Sequence, residues 1–261
     1  MILVHKEKCI GCGSCERDCF SHTIQVRAGK AEVLGKCMEC GHCLAVCPTE
    51  AVEMEGYDQA EVFSGSREEC MVAPADFLRF LQFRRSTRQY EKRPVESEKL
   101  AQILEAGRYT PTARNRQDVH FVFVQEQMPQ IREMIWEGFR EMAEQWEDPG
   151  YRRMLLEFCK DRQANPENDR LFCGAPVLLV LTCAYPWNGE LTARTMELMA
   201  ESLGLGSLYS GFIQRAIGNS KAAQQALSIE GERIAACLLL GYPAVRYLRS
   251  VPRKKAHVTW L

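Results

Sequence analysis

Cys9-Ile-Gly-Cys12-Gly-Ser-Cys15-Glu-Arg-Asp-Cys19 and, after a gap, Cys37-Met-Glu-Cys40-Gly-His-Cys43-Leu-Ala-Val-Cys47-Pro48 carry the same spacing twice. Each half reads C-x2-C-x2-C-x3-C, which wraps thiolates around a cubane iron–sulfur cluster. Three closely spaced cysteines cover three corners of one cluster, and the fourth lies too far along the chain and turns to the neighbouring cluster. The expected ligation is therefore crossed, with Cys9, Cys12, Cys15 and Cys47 on one 4Fe–4S cluster and Cys37, Cys40, Cys43 and Cys19 on the other. Gly11, Gly13 and Gly41 suit loops that must bend closely around a cluster. Zinc also binds C-x2-C pairs, but a zinc knuckle has no reason for the further cysteines of each half, repeated. A disulfide framework would normally belong to a small secreted chain.

Residues 1 to about 57 resemble a bacterial two-cluster ferredoxin. Phe20 stands where proline usually follows the first motif, and Pro48 is kept in the second. Between the motifs, Ile24–Val26 and Ala31–Val33 flank Ala28-Gly29-Lys30, a hairpin signal. Residues 58–73 follow neither helix nor strand period and hold Gly65 between two serines, so they read as a linker. The expected domains are 1–64, with the linker at about 58–73, and 74–261.

A chain of 261 residues, 46% hydrophobic and 26% charged, can bury a full-size core. Cys70, Cys159, Cys173, Cys183 and Cys237 form no ligand spacing and read as small apolar residues. A net charge of −1 argues against a nucleic-acid partner. The first residues lack an apolar leader and no run approaches 18 uncharged apolar residues, so the expectation is a cytoplasmic protein with no membrane partner. Low-potential clusters also suggest an anaerobic or microaerobic setting.

From Pro74 a helical period appears, with Phe77, Leu78, Phe80 and Leu81 on one side. Ser97 is expected to cap a helix bearing Leu100, Ile103 and Leu104 that ends by Gly107. Val119–Val124 reads as a strand, and 129–146 as an amphipathic helix stopped by Asp148-Pro149-Gly150. A charged segment, about 151–170, follows. Pro176–Cys183 and Ile234–Leu240 are unbroken apolar runs expected as buried strands, and 191–203 as a helix ending at Gly204. Helices around a few strands, without strict alternation, indicate α+β.

Four stretches of this half carry chemistry. Arg84-Arg85-Ser86-Thr87-Arg88 offers guanidinium forks and hydroxyls to phosphate oxygens. Pro111-Thr-Ala-Arg-Asn115-Arg-Gln117 is a polar loop whose amides can pair with donor and acceptor edges of a ring. Gly204-Leu-Gly206-Ser-Leu-Tyr-Ser210-Gly211 reads as free N–H groups at helix ends. The tail concentrates Arg246, Arg249, Arg253, Lys254 and Lys255, without the aromatic interleaving of a nucleic-acid site. Taken in order with Gly174-Ala175-Pro176 and Leu240-Gly241-Tyr-Pro243, these stretches resemble the nitroreductase family of FMN-dependent oxidoreductases, across residues 76 to 261.

That resemblance implies FMN as cofactor and a homodimer with the flavin at the subunit interface. Arg84 and Ser86, with Arg253 and Lys254, would hold the phosphate, Arg85 belongs to the same cofactor-binding stretch, and Arg88 would lie near the pyrimidine edge. Asn115 and Gln117 belong to the ring-binding loop, Asn115 pairing with the ring or ribityl chain. Pro111, Thr112 and Ala113 would serve the partner's FMN. The backbone N–H groups of Ser210 and Gly211 would face flavin N5 and O4. Two departures bear on substrate class: Asp118-Val119 replaces the usual Pro-Trp, and Ser210 stands where some relatives carry glutamate.

The combined expectation is an enzyme that passes electrons from the clusters to FMN and on to a nitroaromatic, quinone or activated alkene, fed by reduced ferredoxin or a similar low-potential donor. The helix of 129–146 and the polar segment after it would form a lid over the flavin, with Trp136, Phe139 and Trp146 stacking on an aromatic substrate, or at least two of them packing in the core. Two rivals stay open: direct feeding by NAD(P)H, and an electron relay or redox sensor that turns over no small molecule.

Overall fold

The computed structural model describes all residues from Met1 to Leu261. They group into two compact units, one made of Met1–Val72 with Thr112–Arg116, the other of Ala73–Pro111 with Gln117–Leu261.

The first unit runs β1 (Ile2–Val4), α1 (Ser14–Asp18), β2 (Ile24–Arg27), β3 (Lys30–Val33), α2 (His42–Ala45) and β4 (Val52–Met54). β1 pairs antiparallel with β4, and β2 with β3. The β2–β3 register, Ile24 opposite Val33 and Arg27 opposite Lys30, leaves Ala28-Gly29 at the turn, both at positive φ as a two-residue hairpin requires. α1 and α2 each begin directly after a left-handed glycine, Gly13 at φ 76° and Gly41 at φ 75°, so the sequence repeat is also a structural one. The buried hydrophobic residues are only Ile2, Cys9, Cys15, Ile24, Ala31, Ala51 and Val52. So small a core needs a staple, and cysteine-held clusters are one.

The second unit runs α3 (Pro74–Phe83), α4 (Ser97–Arg108), β5 (His120–Val124), α5 (Met128–Glu144), α6 (Pro149–Ala164), β6 (Val177–Thr182), α7 (Pro186–Ser202), β7 (Gly206–Tyr209), α8 (Gly211–Asn219), α9 (Lys221–Ala226) and β8 (Ile234–Gly241). Four strands form one sheet in the order β5-β6-β8-β7, every neighbouring pair antiparallel. Alternation sends Leu178, Val180, Cys237 and Leu239 into a core with Ile135, Phe139 and Ile213 of α5 and α8. The intervening Val177, Leu179, Leu238 and Leu240 meet Ile103 of α4 and Met196 of α7 on the other face. Covering on both faces explains why β6 and β8 read as unbroken apolar runs. The α+β expectation holds.

Element boundaries differ in four places. Ser97 is the first helical residue of α4, after Glu96, and makes no capping bond. Asp148-Pro149-Gly150 ends α5 but also starts α6, because the Asp148 carboxylate accepts from Tyr151 N–H at 2.6 Å and Pro149 occupies the first helical position. The charged segment is therefore mostly helix. α7 starts at Pro186, ahead of the expected 191. The stretch from Gly204 to Gly211 contains the edge strand β7 rather than only helix ends.

Candidate functional site

Two small cavities in the first unit gather the cysteines in crossed sets. One is lined by Cys9, Cys12, Cys15 and Cys47, the other by Cys19, Cys37, Cys40 and Cys43. Four sulfurs spread around a cavity, rather than converging on one point, suit a cubane with a thiolate at each corner. Backbone N–H groups already point at sulfur: Ala31 to Cys9 at 3.4 Å, Glu39 to Cys37 at 3.3 Å and Ala51 to Cys47 at 3.3 Å. Burial opposes ionisation of Cys19, yet the hydroxyls of Thr23 and Ser21 and the Ile24 backbone outweigh it and bring the thiol down to about 6. That favours the thiolate, the ligating form. At Gly11, φ is 67° and a Cβ would lie 2.3 Å from the Gly29 carbonyl oxygen, so the loop closes only because this residue has no side chain.

Asn115 differs from expectation. Its side-chain amide donates to the carbonyls of Glu39 at 2.7 Å and Met38 at 3.4 Å, the peptides between Cys37 and Cys40. Those donors brace a cluster loop, so they are not open to the flavin ring they were expected to meet. Asn115 and Arg114 sit at positive φ, 51° and 57°, so the chain kinks to present the amide.

In the second unit, a cavity of about 840 Å3 is lined by Arg88, Tyr90, Lys92, Cys173 and Gly174, by Ser210, Gly211, Phe212 and Arg215 of the β7–α8 junction, and by Tyr151 and Phe158 of α6. The ring-edge set, Arg88 with Ser210 and Gly211, is brought together. One detail is corrected: the Ser210 N–H donates to Cys237 O at 2.9 Å and cannot face a ligand. It extends the sheet where β7 turns into α8. The Ser210 hydroxyl accepts from Ile213 N–H at 3.2 Å as helix cap. That leaves Gly211 and Phe212, whose first-turn N–H groups have no intrahelical acceptor, to face an electron-rich edge.

The phosphate set lies outside this cavity. Arg84 Nη1 donates to Glu197 Oε1 at 2.8 Å, and Arg194 and Ser207 complete the shell around that buried carboxylate. Arg85 Nη1 is buried with no acceptor, and Ser86 bridges to Ser207. An orphaned guanidinium N–H suits a phosphate oxygen, so this corner fits an anionic group. The close approach depends on Gly206, where a Cβ would lie 2.2 Å from Thr87 Oγ1. Of the tail, Tyr247 reaches Ser86, its hydroxyl donating to Ser86 O at 3.4 Å. Arg253 and Lys254 remain exposed and are not brought to Arg84 or Ser86. Pro111, Ala113 and Gln117 are exposed and Thr112 is half-buried.

Of the two segments expected to form a lid, only the one after α5 borders the cavity, and the alternative of core packing holds for the α5 aromatics. Trp136 and Phe139 of α5 are core residues, and Trp146 packs against that core. The aromatic wall comes from Tyr151 and Phe158 on α6, facing Phe212. Sequence reading missed α6 because its charges mask its pattern, and missed Glu197 because nothing in sequence marks its partner 113 residues away. Tyr209 borders the cavity, but alternation sets it on the face of Ser207, where burial and then the Glu197 carboxylate push its phenol upward.

Comparison with known proteins places both halves. Residues 81–242 match the Nitroreductase family, and residues 8–52 match the 4Fe-4S dicluster domain. Among solved structures, a nitroreductase with bound FMN from Bacteroides fragilis aligns with a TM-score of 0.59 at 22% identity, covering 70% of this chain and 97% of that one. One from Desulfitobacterium hafniense, also with bound FMN, gives 0.57 at 22% identity over 72% and 100%. These likenesses show the fold. An Archaeoglobus fulgidus protein named "Putative NADH dehydrogenase/NAD(P)H nitroreductase" is 29% identical over 172 residues, 64% of this chain and 84% of its own length. The first unit is 45% identical over 47 residues to a Methanosarcina acetivorans component of an ion-translocating oxidoreductase complex, a match spanning 18% of either protein. No helix is long and apolar enough to cross a membrane. The chain belongs to the nitroreductase family, with a 4Fe-4S dicluster domain preceding the family domain.

Proposed function

We propose that this FMN-dependent oxidoreductase takes electrons in through its two 4Fe–4S clusters and passes them by way of FMN to a small organic acceptor, a nitroaromatic, quinone or activated alkene, in ping-pong turnover. The observation that carries this reading is the union, in one chain, of two cavities each lined by four cysteines and an 840 Å3 cavity in a nitroreductase-family unit. Tethering a carrier to its acceptor replaces a bimolecular encounter with a high effective concentration.

When bound, FMN exchanges electrons singly with the clusters and in pairs with organic acceptors. The residues of this chain do the rest. Arg84, Arg85 and Ser86 hold the phosphate, joined by Arg253 and Lys254 as the exposed tail closes. Arg84 can do so while paired, since only one of its five N–H donors goes to Glu197. Arg88, in no ion pair, places positive charge where it favours a reduced, anionic ring. Gly211 and Phe212 supply N–H donors, and Tyr151, Phe158 and Phe212 exclude water. Pro111, Thr112 and Ala113 act toward the FMN of the second copy in a homodimer.

The name carried by the Archaeoglobus relative favours a second reading, direct feeding by NAD(P)H with the clusters as outlet or structural addition. Anaerobic rapid mixing with NADH, NADPH and reduced ferredoxin, following flavin bleaching, separates the two. Fast bleaching by ferredoxin alone, lost in Cys40→Ser/Cys43→Ser, is the expected result. Fast bleaching by NAD(P)H that survives the double substitution overturns the scheme.

A further inference from the structure

We infer that the acceptor taken by the 840 Å3 cavity is a planar aromatic bearing an anionic substituent, and that Arg215 binds the anion. This rests on reading that cavity as the flavin and acceptor site. Five charges besides Arg215 line it. Glu167 is paired with Lys92, and Arg170 with Asp161 outside the lining. Asp169 faces Arg132 and accepts from Trp136 Nε1 at 3.2 Å and Phe172 N–H at 2.9 Å. Arg88 and Arg215 are the two cations left without a carboxylate, and Arg88 is assigned to the flavin edge. Arg215 therefore remains for the acceptor.

Its placement supports the role. Arg215 stands one helical turn after Gly211 on α8, hence on the same helix face, and helical side chains lean toward the N-terminal turn. That direction brings its guanidinium toward the open N–H end of α8. The guanidinium lies 5.3 Å from the Trp146 ring centroid, and Trp146 stacks on Tyr151 at 5.6 Å. Tyr151 meets Phe212 at 6.5 Å, and Phe212 meets Phe158 at 6.4 Å. A flat ring thus finds an aromatic wall of the cavity with an unneutralised fork beside it. A guanidinium there matches a carboxylate bidentately, which a neutral polar group of the same shape cannot reproduce.

The test uses the flavin-loaded, oxidised full chain, titrated with 4-nitrobenzoate and with its neutral near-isostere 4-nitrobenzyl alcohol, following the flavin absorbance change and, independently, heat. The carboxylate is expected to bind about 10- to 100-fold tighter than the alcohol, the size of one charge-assisted hydrogen bond. Arg215→Gln should erase that ratio with the alcohol's Kd unchanged, and Arg215→Lys should keep part of it. Equal binding of the two ligands, an unchanged ratio in Arg215→Gln, or binding of neither by flavin-loaded protein overturns the inference while leaving the flavin reading intact. Failure of the full chain to take up FMN overturns that reading, and this inference with it.

Discussion

Glu197→Gln removes the negative charge from the most enclosed ionic cluster of the flavin unit while keeping its shape. The Glu197 side chain is 3% exposed and accepts from Arg84, whose own side chain is 16% exposed, and from Arg194 at 44%. Ser207 Oγ adds a hydrogen bond at 3.3 Å. Taking one partner from a buried ion pair costs about 3–5 kcal/mol, because the remaining charge stays desolvated. Arg194 is open enough to rehydrate, so the loss falls on Arg84 and the low end applies, about 3 kcal/mol. For a domain of this size each kcal/mol moves the midpoint by roughly 2–4 °C, so the flavin unit should melt about 6–12 °C lower. The assay is selective, since all four tryptophans (Trp136, Trp146, Trp187 and Trp260) lie in the second unit and their fluorescence reports on it alone. Replacing both charges, Arg84→Met with Glu197→Leu, should regain most of the loss, because an apolar pair needs no compensating charge. A fluorescence midpoint in Glu197→Gln within about 2 °C of the parent would refute the argument, on the same scale of degrees per kcal/mol.

Three further outcomes are expected. Asn115→Ala should hasten iron release to a chelator by loosening the loop between Cys37 and Cys40, and Asn115→Gly, which relieves the positive φ but lacks the amide, should behave alike. Iron content and reduced-cluster electron paramagnetic resonance check this, and normal iron retention in both variants would exclude a bracing role. Gly11→Ala, with its Cβ 2.3 Å from the Gly29 oxygen, should prevent assembly of the cluster held by Cys9, Cys12, Cys15 and Cys47, read as a halved iron-to-protein ratio. Glu232 is held below its ordinary carboxylate value, first by the Thr182 hydroxyl and then by His120. A depressed carboxylate contributes stability above its unfolded value and loses it as pH falls through the folded one. The parent should therefore exceed Glu232→Gln in denaturant midpoint at neutral pH, with the gap closing well below pH 4.5. A gap that widens on acidification would contradict the sign.

Much of this molecule is legible without coordinates because the deciding signals are local. Closely spaced thiolates prescribe loops around a cluster, and the unbroken runs Val177–Thr182 and Ile234–Gly241 form strands covered on both faces of a sheet. Ala28-Gly29 between two short alternating segments likewise specifies a hairpin. Its backbone angles are less obvious from the residues, since the turn holds the Ala28 side chain at φ 49° beside Gly29 at φ 76°. The pairing of the flanking strands enforces that conformation.

The rest depended on residues that meet only after folding. The Arg84 and Glu197 pair spans 113 positions, and Asn115 reaches carbonyls 76 and 77 positions away, so no spacing rule announces either contact. β7 is a four-residue edge strand whose identity comes from pairing with β8, since its own residues carry no period. That pairing consumes the Ser210 N–H and shifts the open donors to Gly211 and Phe212. In the same way α6, too charged to read as a packed helix, supplies the aromatic wall in place of α5. Local chemistry dictates which cofactors this chain is built to hold, because ligand spacing and strand burial act over a few residues. Which donors, cations and rings face the acceptor is decided by tertiary packing, because hydrogen bonds and charge pairs are satisfied by whatever the fold brings within reach.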